Sequence, residues 1–585
     1  MMMEDSEVSK HMRLPHPGIG AKPRTEVQPN VELPMVAPTL ESPCRNLWES
    51  VGWWKGVQED AKMRQGDNNI ALSLNVDGFQ PFTRGGLTLH PFVFQVLNLP
   101  ENIRIRNEYM ILAALVPGKK APKNMNTYLA LMVDELIHLY THGFLYHDPY
   151  LKVQNRSFVK LLFTACDFPG HAQINCLQKQ AATYGCHKCD LAGDTKTKFN
   201  VDRVTYGGFA GLARTPSQVP SKLTKEVYLA RAHRHAELHQ MRVEKKITSD
   251  TALKQKLFTE CKQVKGLSEL TRLEYFDIVE HTLLDLMHTV AGIVSHHLMP
   301  LVKGERLQKF TQPKISKKAQ NAAAKKAKEA AAAIEGARRY EAVLAARAPP
   351  SVAEARKRVR EQKEVEEYHE QQQQTDSDDD DYSDEDPHEQ VDEDFRQVIL
   401  EPERAVARPA AAVAAPAAAA AAAASVQQNH SQLNEFQNMY KISKADQEKI
   451  EQNCYKLIQA PGKVAPATKL PFTTSGYMTA DNWLLFTKVF GKYLFKRHYR
   501  KPEQQRVLVA ICHLLDLLAL CSLVKHTTAS KLKIAELTKI VATHFEKDFP
   551  STEHAIVVHN LLFHVPDTIN QWGPAVGYWC FPFER

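Results

Sequence analysis

The sequence predicts an α/β protein made of two folded parts on either side of a long solvated insert. Three observations lead there. Between residues 46 and 300, apolar runs of strand length, two of them ending at an aspartate, alternate with segments of helical period. Composition then changes abruptly over residues 301–430, and from residue 431 apolar side chains recur at helical spacing. A chain of 585 residues exceeds one ordinary core, so more than one folded region is expected.

Ile70-Ala-Leu-Ser-Leu-Asn-Val76 reads as a strand that ends at Asp77-Gly78. Tyr109-Met-Ile-Leu-Ala-Ala-Leu-Val116 reads as a second buried strand, closed by Pro117-Gly118. Helical period runs from Asn126 to Gly143, with Leu129, Met132, Val133, Leu136, Ile137 and Leu139 forming the apolar stripe. Phe158 to Cys166 is a further strand, delivering Asp167 at its end, and Leu283 to Leu301 is helix-like. Residues 1–45 are Pro-rich and polar, a composition of disorder.

In the insert, residues 314–347 alternate Lys or Arg with Ala runs, a strong helix-forming composition with no coherent apolar face. An acidic tract and a nearly pure Ala run follow, so residues 301–430 are expected to be solvated and coreless. Its cluster Arg356-Lys-Arg-Val-Arg360 has two readings, a nuclear localisation signal or a solvated helix face. In the last part, 431–585, Leu508, Ile511, Leu515 and Leu518 are core positions of a helix. The surrounding run Val507 to Val524 contains His513 and Asp516, which favours a buried helix over a membrane span.

Composition limits the function classes. Lys and Arg number 74 against 67 Asp and Glu, for a net charge of +7, which permits a nucleic-acid partner without requiring one. The N-terminus shows no secretory signal. Ten cysteines lie without a regular framework and include one CxxC pair, so metal binding or buried thiols are expected rather than disulfides. These features predict a soluble intracellular protein with no membrane association.

Asp77 and Asp167 suit divalent-metal chemistry on phosphodiesters, because carboxylates at strand ends are held rigidly while the open end admits substrate. Each also fits a bland role, as a turn residue or a helix cap. Cys186-His-Lys-Cys189 has the gap that places two thiolates on adjacent corners of a tetrahedral zinc site. His559 and His564 have the spacing of the histidine half of such a site, or else pack on a helix. Tyr493-Leu-Phe-Lys-Arg-His-Tyr-Arg-Lys501 interleaves bases with aromatics, as a DNA-gripping surface or a solvated helix end would; its bases include Lys496, Arg497, Arg500 and Lys501.

Several motifs in order resemble those of CACTA (En/Spm-type) transposases. They are Asp77-Gly-Phe-Gln-Pro-Phe82, Leu97-Asn-Leu-Pro100, Leu115-Val-Pro-Gly118, Asn126 to Leu136, Asp167-Phe-Pro-Gly170 with Tyr184 to Cys189, Leu284-Asp285-Leu-Met-His288, and the ending Trp579-Cys-Phe-Pro-Phe-Glu584-Arg585. The order His559-x₄-His564-Val-Pro-Asp567 … Glu584 is more distantly similar to Transib proteins and the antigen-receptor recombinase catalytic subunit. The resemblance implies an RNase H-like mixed-sheet catalytic core interrupted by a helical insertion, followed by a mostly α-helical C-terminal region.

The same resemblance implies a Mg²⁺-binding (or Mn²⁺-binding) triad of Asp77, Asp167 and Glu584, with Asp285 as the alternative third acid, and structural Zn²⁺ on Cys186, Cys189, His559 and His564. Implied with these are double-stranded DNA as partner, a homo-oligomer and a nuclear location. Family members continue beyond this ending, so the resemblance also carries the expectation of a frayed Glu584 and a compromised enzyme. Two functions follow: a DDE transposase that cleaves and transfers DNA strands, truncated and inactive if Glu584 is displaced, or a catalytically dead, domesticated nuclear protein that binds DNA or protein. A zinc-stabilised scaffold unrelated to DNA is the third.

Overall fold

Ile70–Val76 forms the central strand, β1. Ile70, Leu72, Leu74 and Val76 enter one apolar core while Ala71 enters another, as the two-residue period of a strand buried on both faces requires. The computed structural model describes residues 36–65, 68–82, 86–119, 124–149, 152–193, 220–304, 439–450, 478–550 and 553–583, with residues 12, 122 and 206. Residues up to Gly304 belong with those from Pro402 onward to one compact unit. The other unit, Glu305–Glu401, lies outside the described residues, as do most of 1–45, the rest of the expected insert beyond Gly304, and Glu584.

β2 (Thr88–Val96) pairs antiparallel with β1, and β3 (Met110–Gly118) antiparallel with β2. β4 (Phe144–Asp148) and β5 (Val153–Ser157) make a separate hairpin. On the other side of β1, β6 (Val159–Cys166) runs parallel to it, and β7 (Thr282–Leu284) runs parallel to β6. The five-stranded order is β3-β2-β1-β6-β7.

Two strand expectations need correction. β3, expected to be buried, is a sheet edge on which Ile111, Leu112 and Leu115 are 39%, 58% and 47% exposed; an apolar run specifies a strand but not its neighbours. The segment expected as a helix from Leu283 begins instead as β7, because Thr282–Leu284 pairs with β6 before the helix starts at Leu286. β2 escaped the sequence reading: His90, Pro91 and Gln95 interrupt its apolar pattern.

The helices that position the site are α1 (Asn126–Thr141), α2 (Phe168–Ile174), α3 (Lys225–Val243) and α4 (Leu286–Gly292). The later helices of the described residues include α5 (Gly491–His498), α6 (Gln505–Cys521), α7 (Thr528–Lys547), α8 (Ile556–Phe563) and α9 (Val565–Trp572). Leu129, Met132, Val133 and Leu136 of α1 join Leu72, Leu74 and Leu161 in one core. On the opposite face, Leu162, Phe163, Ala165 and Leu283 meet α4 and the C-terminal helices, so the sheet lies between two helical layers. Trp572 of α9 packs edge-on against Phe163 of β6, ring centroids 5.2 Å apart.

The start of β6 is tied down by a buried ion pair, Lys160 Nζ to Asp60 Oδ2 at 2.6 Å. The Tyr140 hydroxyl of α1 donates to the same carboxylate oxygen at 2.9 Å. No helix among the described residues is long and apolar enough to cross a membrane.

Candidate active site and metal centre

Three aspartates stand immediately beyond the C-terminal ends of three adjacent parallel strands. Leu74 of β1 is level with Thr164 of β6, which is level with Thr282 of β7. Asp77, Asp167 and Asp285 each lie three residues beyond one member of that trio. Neighbouring strands are about 4.8 Å apart, so the three acids form a row. The carboxyl ends of parallel strands are where α/β sheets receive ligands.

Local chemistry fixes each member. Asp167 caps α2, its Oδ1 accepting the Gly170 N–H at 2.6 Å. Gly170 is required by close approach, since a Cβ there would stand 2.6 Å from the Val76 carbonyl oxygen at the end of β1. The Cys166 N–H donates to His171 Nε2 at 3.1 Å, and the Cys166 sulfur accepts the Val76 N–H at 3.2 Å. Burial holds His171 neutral, its pKa depressed to about 3, which keeps Nε2 an acceptor. Asp77 Oδ1 accepts the Gly78 N–H at 2.6 Å. A Cβ on Gly78 would lie 2.6 Å from the His90 ring of β2.

Asp285 caps α4 and is almost fully buried. Its Oδ2 accepts the His288 N–H at 2.8 Å and pairs with His288 Nδ1 at 2.6 Å, while Oδ1 accepts the Cys580 N–H at 2.9 Å. The C-terminal segment therefore reaches this end of the sheet at Cys580, four residues before Glu584. Asp285, His288 and Cys580 carry ligand-type atoms within 4.8 Å of one another.

The row is electrostatically loaded. Burial, then the neighbouring Asp77 and Asp285 charges, raise the Asp167 carboxyl to about 6 against the lowering Gly170 hydrogen bond and His288 charge. Burial also works to raise Asp285, but the His288 contacts and the Cys580 N–H outweigh it and keep the carboxyl below the usual range. Asp77 and Asp167 offer hard oxygen donors one strand spacing apart, the type of donor that Mg²⁺ selects. A cation held between them would relieve their mutual repulsion.

A second convergence joins distant parts of the chain. The Cys186 and Cys189 sulfurs are 3.5 Å apart, and the His559 and His564 Nε2 atoms 3.0 Å apart. Cys186 lies 3.2 Å from His564 Nε2 and Cys189 3.4 Å from His559 Nε2. All four residues are buried. Zinc bonds of about 2.3 Å to sulfur and about 2.0 Å to nitrogen set tetrahedral edges of about 3.8 and 3.3 Å, a few tenths of an ångström wider than those observed. His559 Nδ1 is buried with no hydrogen-bond partner, while its Nε2 faces Cys189 and His564. Burial opposes ionisation of Cys186, but the Cys189 thiol and the Lys188 and Cys189 N–H groups hold its pKa below the usual value. The donor set fits zinc.

Two anchors orient this knuckle, and sequence reasoning missed both. The Lys188 ammonium, between the two cysteines, donates to the Val279 and Thr282 carbonyls at the entry to β7. Asp190 takes two 2.6 Å bonds from Arg231 of α3 and one of 2.9 Å from Lys262. Although burial works the other way, these cations hold Asp190 at about 2. Nothing in the spacing of Lys188 marks it out; only its burial does.

The basic segment divides by face. Lys496, Arg497, Arg500 and Lys501 are exposed, whereas Phe495 and Tyr499 are buried and stacked on each other with centroids 5.9 Å apart. Only Tyr493 of its aromatics stays largely exposed, at 48%. The segment presents charge to solvent and spends most of its aromatic surface on the core.

Residues 46–242 match the family model of the Transposase family tnp2. That span contains Asp77, Asp167, Cys186 and Cys189 and ends before β7 and the C-terminal helices. No curated protein matches the chain. The match makes the segment that carries β1, β6, Asp77 and Asp167 similar to the tnp2 transposase family, and supports a transposase-like, DNA-binding function for it, while β7 and Asp285 lie beyond the matched span.

Proposed function

We propose that the chain is a DDE-type transposase of the CACTA kind, acting on double-stranded DNA in the nucleus. Asp77, Asp167 and Glu584 are its metal-binding acids, and Cys186, Cys189, His559 and His564 hold a structural zinc. The observation that carries this reading is the in-register placement of Asp77 and Asp167 at the ends of adjacent parallel strands, inside the span that matches the transposase family. The strand order β3-β2-β1-β6-β7, a three-stranded antiparallel meander continued by two parallel strands, supports an RNase H-like core.

Mg²⁺ bound at the acids would supply charge neutralisation on the attacking and leaving oxygens of a phosphodiester. The chain's own contribution is positioning. Asp167 is held by its cap and by Gly170, Asp77 by the turn at Gly78 against His90. The zinc centre fastens α8 and α9 to the knuckle near β7, and from there the chain returns to Asp285 at Cys580. That path brings the C-terminal segment, as far as Cys580, to the acidic row. Exposed Lys496, Arg497, Arg500 and Lys501 provide phosphate contacts, and a homo-oligomer holds two element ends together.

The test is nicking of supercoiled plasmid by the purified full chain with Mg²⁺ or Mn²⁺. Parent protein is expected to nick, and Asp77→Ala and Asp167→Ala to lose nicking while still binding DNA. Metal-independent binding with no cleavage by any form selects the catalytically dead, DNA-binding reading instead.

A further inference from the structure

Asp285 and His288 are arranged differently from the two aspartates beside them. The Asp285 carboxylate is 2% exposed and receives three N–H groups: the His288 amide and ring, and the Cys580 amide. Its oxygens thus serve internal donors, which is the coordination of an orienting group rather than of an open metal ligand. His288 is 42% exposed although its Nδ1 is held at 2.6 Å. It sits on the first turn of α4, directly after the strand that flanks Asp167, and its charge acts on Asp167.

An imidazole tied at Nδ1 by a buried carboxylate is fixed in ring direction, and in its protonated form it also carries an Nε2–H that can donate. A ring so fixed and partly exposed beside a phosphate-binding row is a preorganised hydrogen-bonding group. The second end of the dyad is equally defined. Asp285 grips the amide of Cys580, whose sulfur lies 3.7 Å from the Ala165 carbonyl, so one carboxylate sets both the histidine and the returning C-terminal segment.

Building on the transposase reading, we propose that His288 is a further catalytic residue that hydrogen-bonds the phosphate of the DNA strand at the acidic row, and that Asp285 is its positioning residue. The dyad completes the strand-end row with a donor where the two neighbouring acids offer only acceptors.

Two measurements on the full chain test this. In the first, diethylpyrocarbonate modifies exposed histidines in Ca²⁺ buffer, and peptide mapping follows His288 with and without a random-sequence duplex oligonucleotide. Protection of His288 by the duplex is expected, and equal modification in both samples overturns the contact. In the second, His288→Gln is expected to lower kcat for plasmid nicking about 100-fold with KM within about 2-fold, and Asp285→Asn to act in the same direction without adding to it in the double variant. Parental kcat in His288→Gln, or an effect confined to KM, refutes the catalytic role. Should the parent chain not nick at all, the nuclease reading fails, and the footprint alone then decides whether His288 meets DNA.

Discussion

Replacing Asp167 by Asn should stabilise the metal-free protein at neutral pH. The Asp167 carboxyl is raised from its usual 3.8 to about 6, by burial first and then by Asp77 and Asp285. Because the folded-state value lies above the unfolded one, this group's contribution is fully present below about pH 4 and is lost as pH rises through about 6. A rise of that size corresponds to about 3 kcal/mol. Asp167 is partly exposed, so solvent screening reduces the observable figure to about 1–3 kcal/mol. Asn retains an oxygen to accept the Gly170 N–H, so the α2 cap survives while the ionisation cost disappears. Urea denaturation of parent and Asp167→Asn in divalent-free buffer measures the difference. The variant should be the more stable at pH 7.5, the two should converge near pH 4, and added Mg²⁺ should stabilise only the parent. Equal or lower stability of Asp167→Asn at pH 7.5, with no pH-dependent gap, would refute the claim that this carboxylate is held ionised against its surroundings.

The other expectations concern the scaffold. His564→Ala or Cys186→Ala should eliminate stoichiometric zinc in elemental analysis and cost about 4 kcal/mol or more; retained zinc would disprove the four-donor centre. Gly170→Ala forces a Cβ to 2.6 Å from the Val76 carbonyl, so a loss of about 1–3 kcal/mol and reduced nicking are expected in melts and plasmid assays. An unchanged melt would show that the α2 start is not tight against β1. Asp60→Ala leaves Lys160 buried without its carboxylate, a cost of about 3–5 kcal/mol, whereas the double change Asp60→Leu with Lys160→Met should recover much of it; equal loss in both variants would argue against an unpaired charge as the cause.

The fold was legible wherever a local pattern was complete. β1 and β6 follow from uninterrupted apolar runs, and α1 from its stripe, because burial on known faces leaves a period in the chain. β2 lacked that period, since a histidine, a proline and a glutamine share its buried or half-buried positions. β3 showed its strand character but not its place at the edge, which depends on which strands pair elsewhere.

Residue type and spacing by themselves placed Asp77 and Asp167 at strand ends, offered a helix cap as one reading of Asp167, and raised the expectation that Cys186 and Cys189 are half of a tetrahedral donor set. These are short-range consequences of backbone geometry and ligand preference. Only the tertiary structure decided that β1, β6 and β7 align in a register that sets Asp77, Asp167 and Asp285 in one row. It alone brought His559 and His564 to within 3.4 Å of the cysteine sulfurs and closed the C-terminal segment onto Asp285. The physical reason is that convergence of side chains distant in sequence is set by strand pairing and by the burial of two cores against one sheet, and no window of sequence contains both partners.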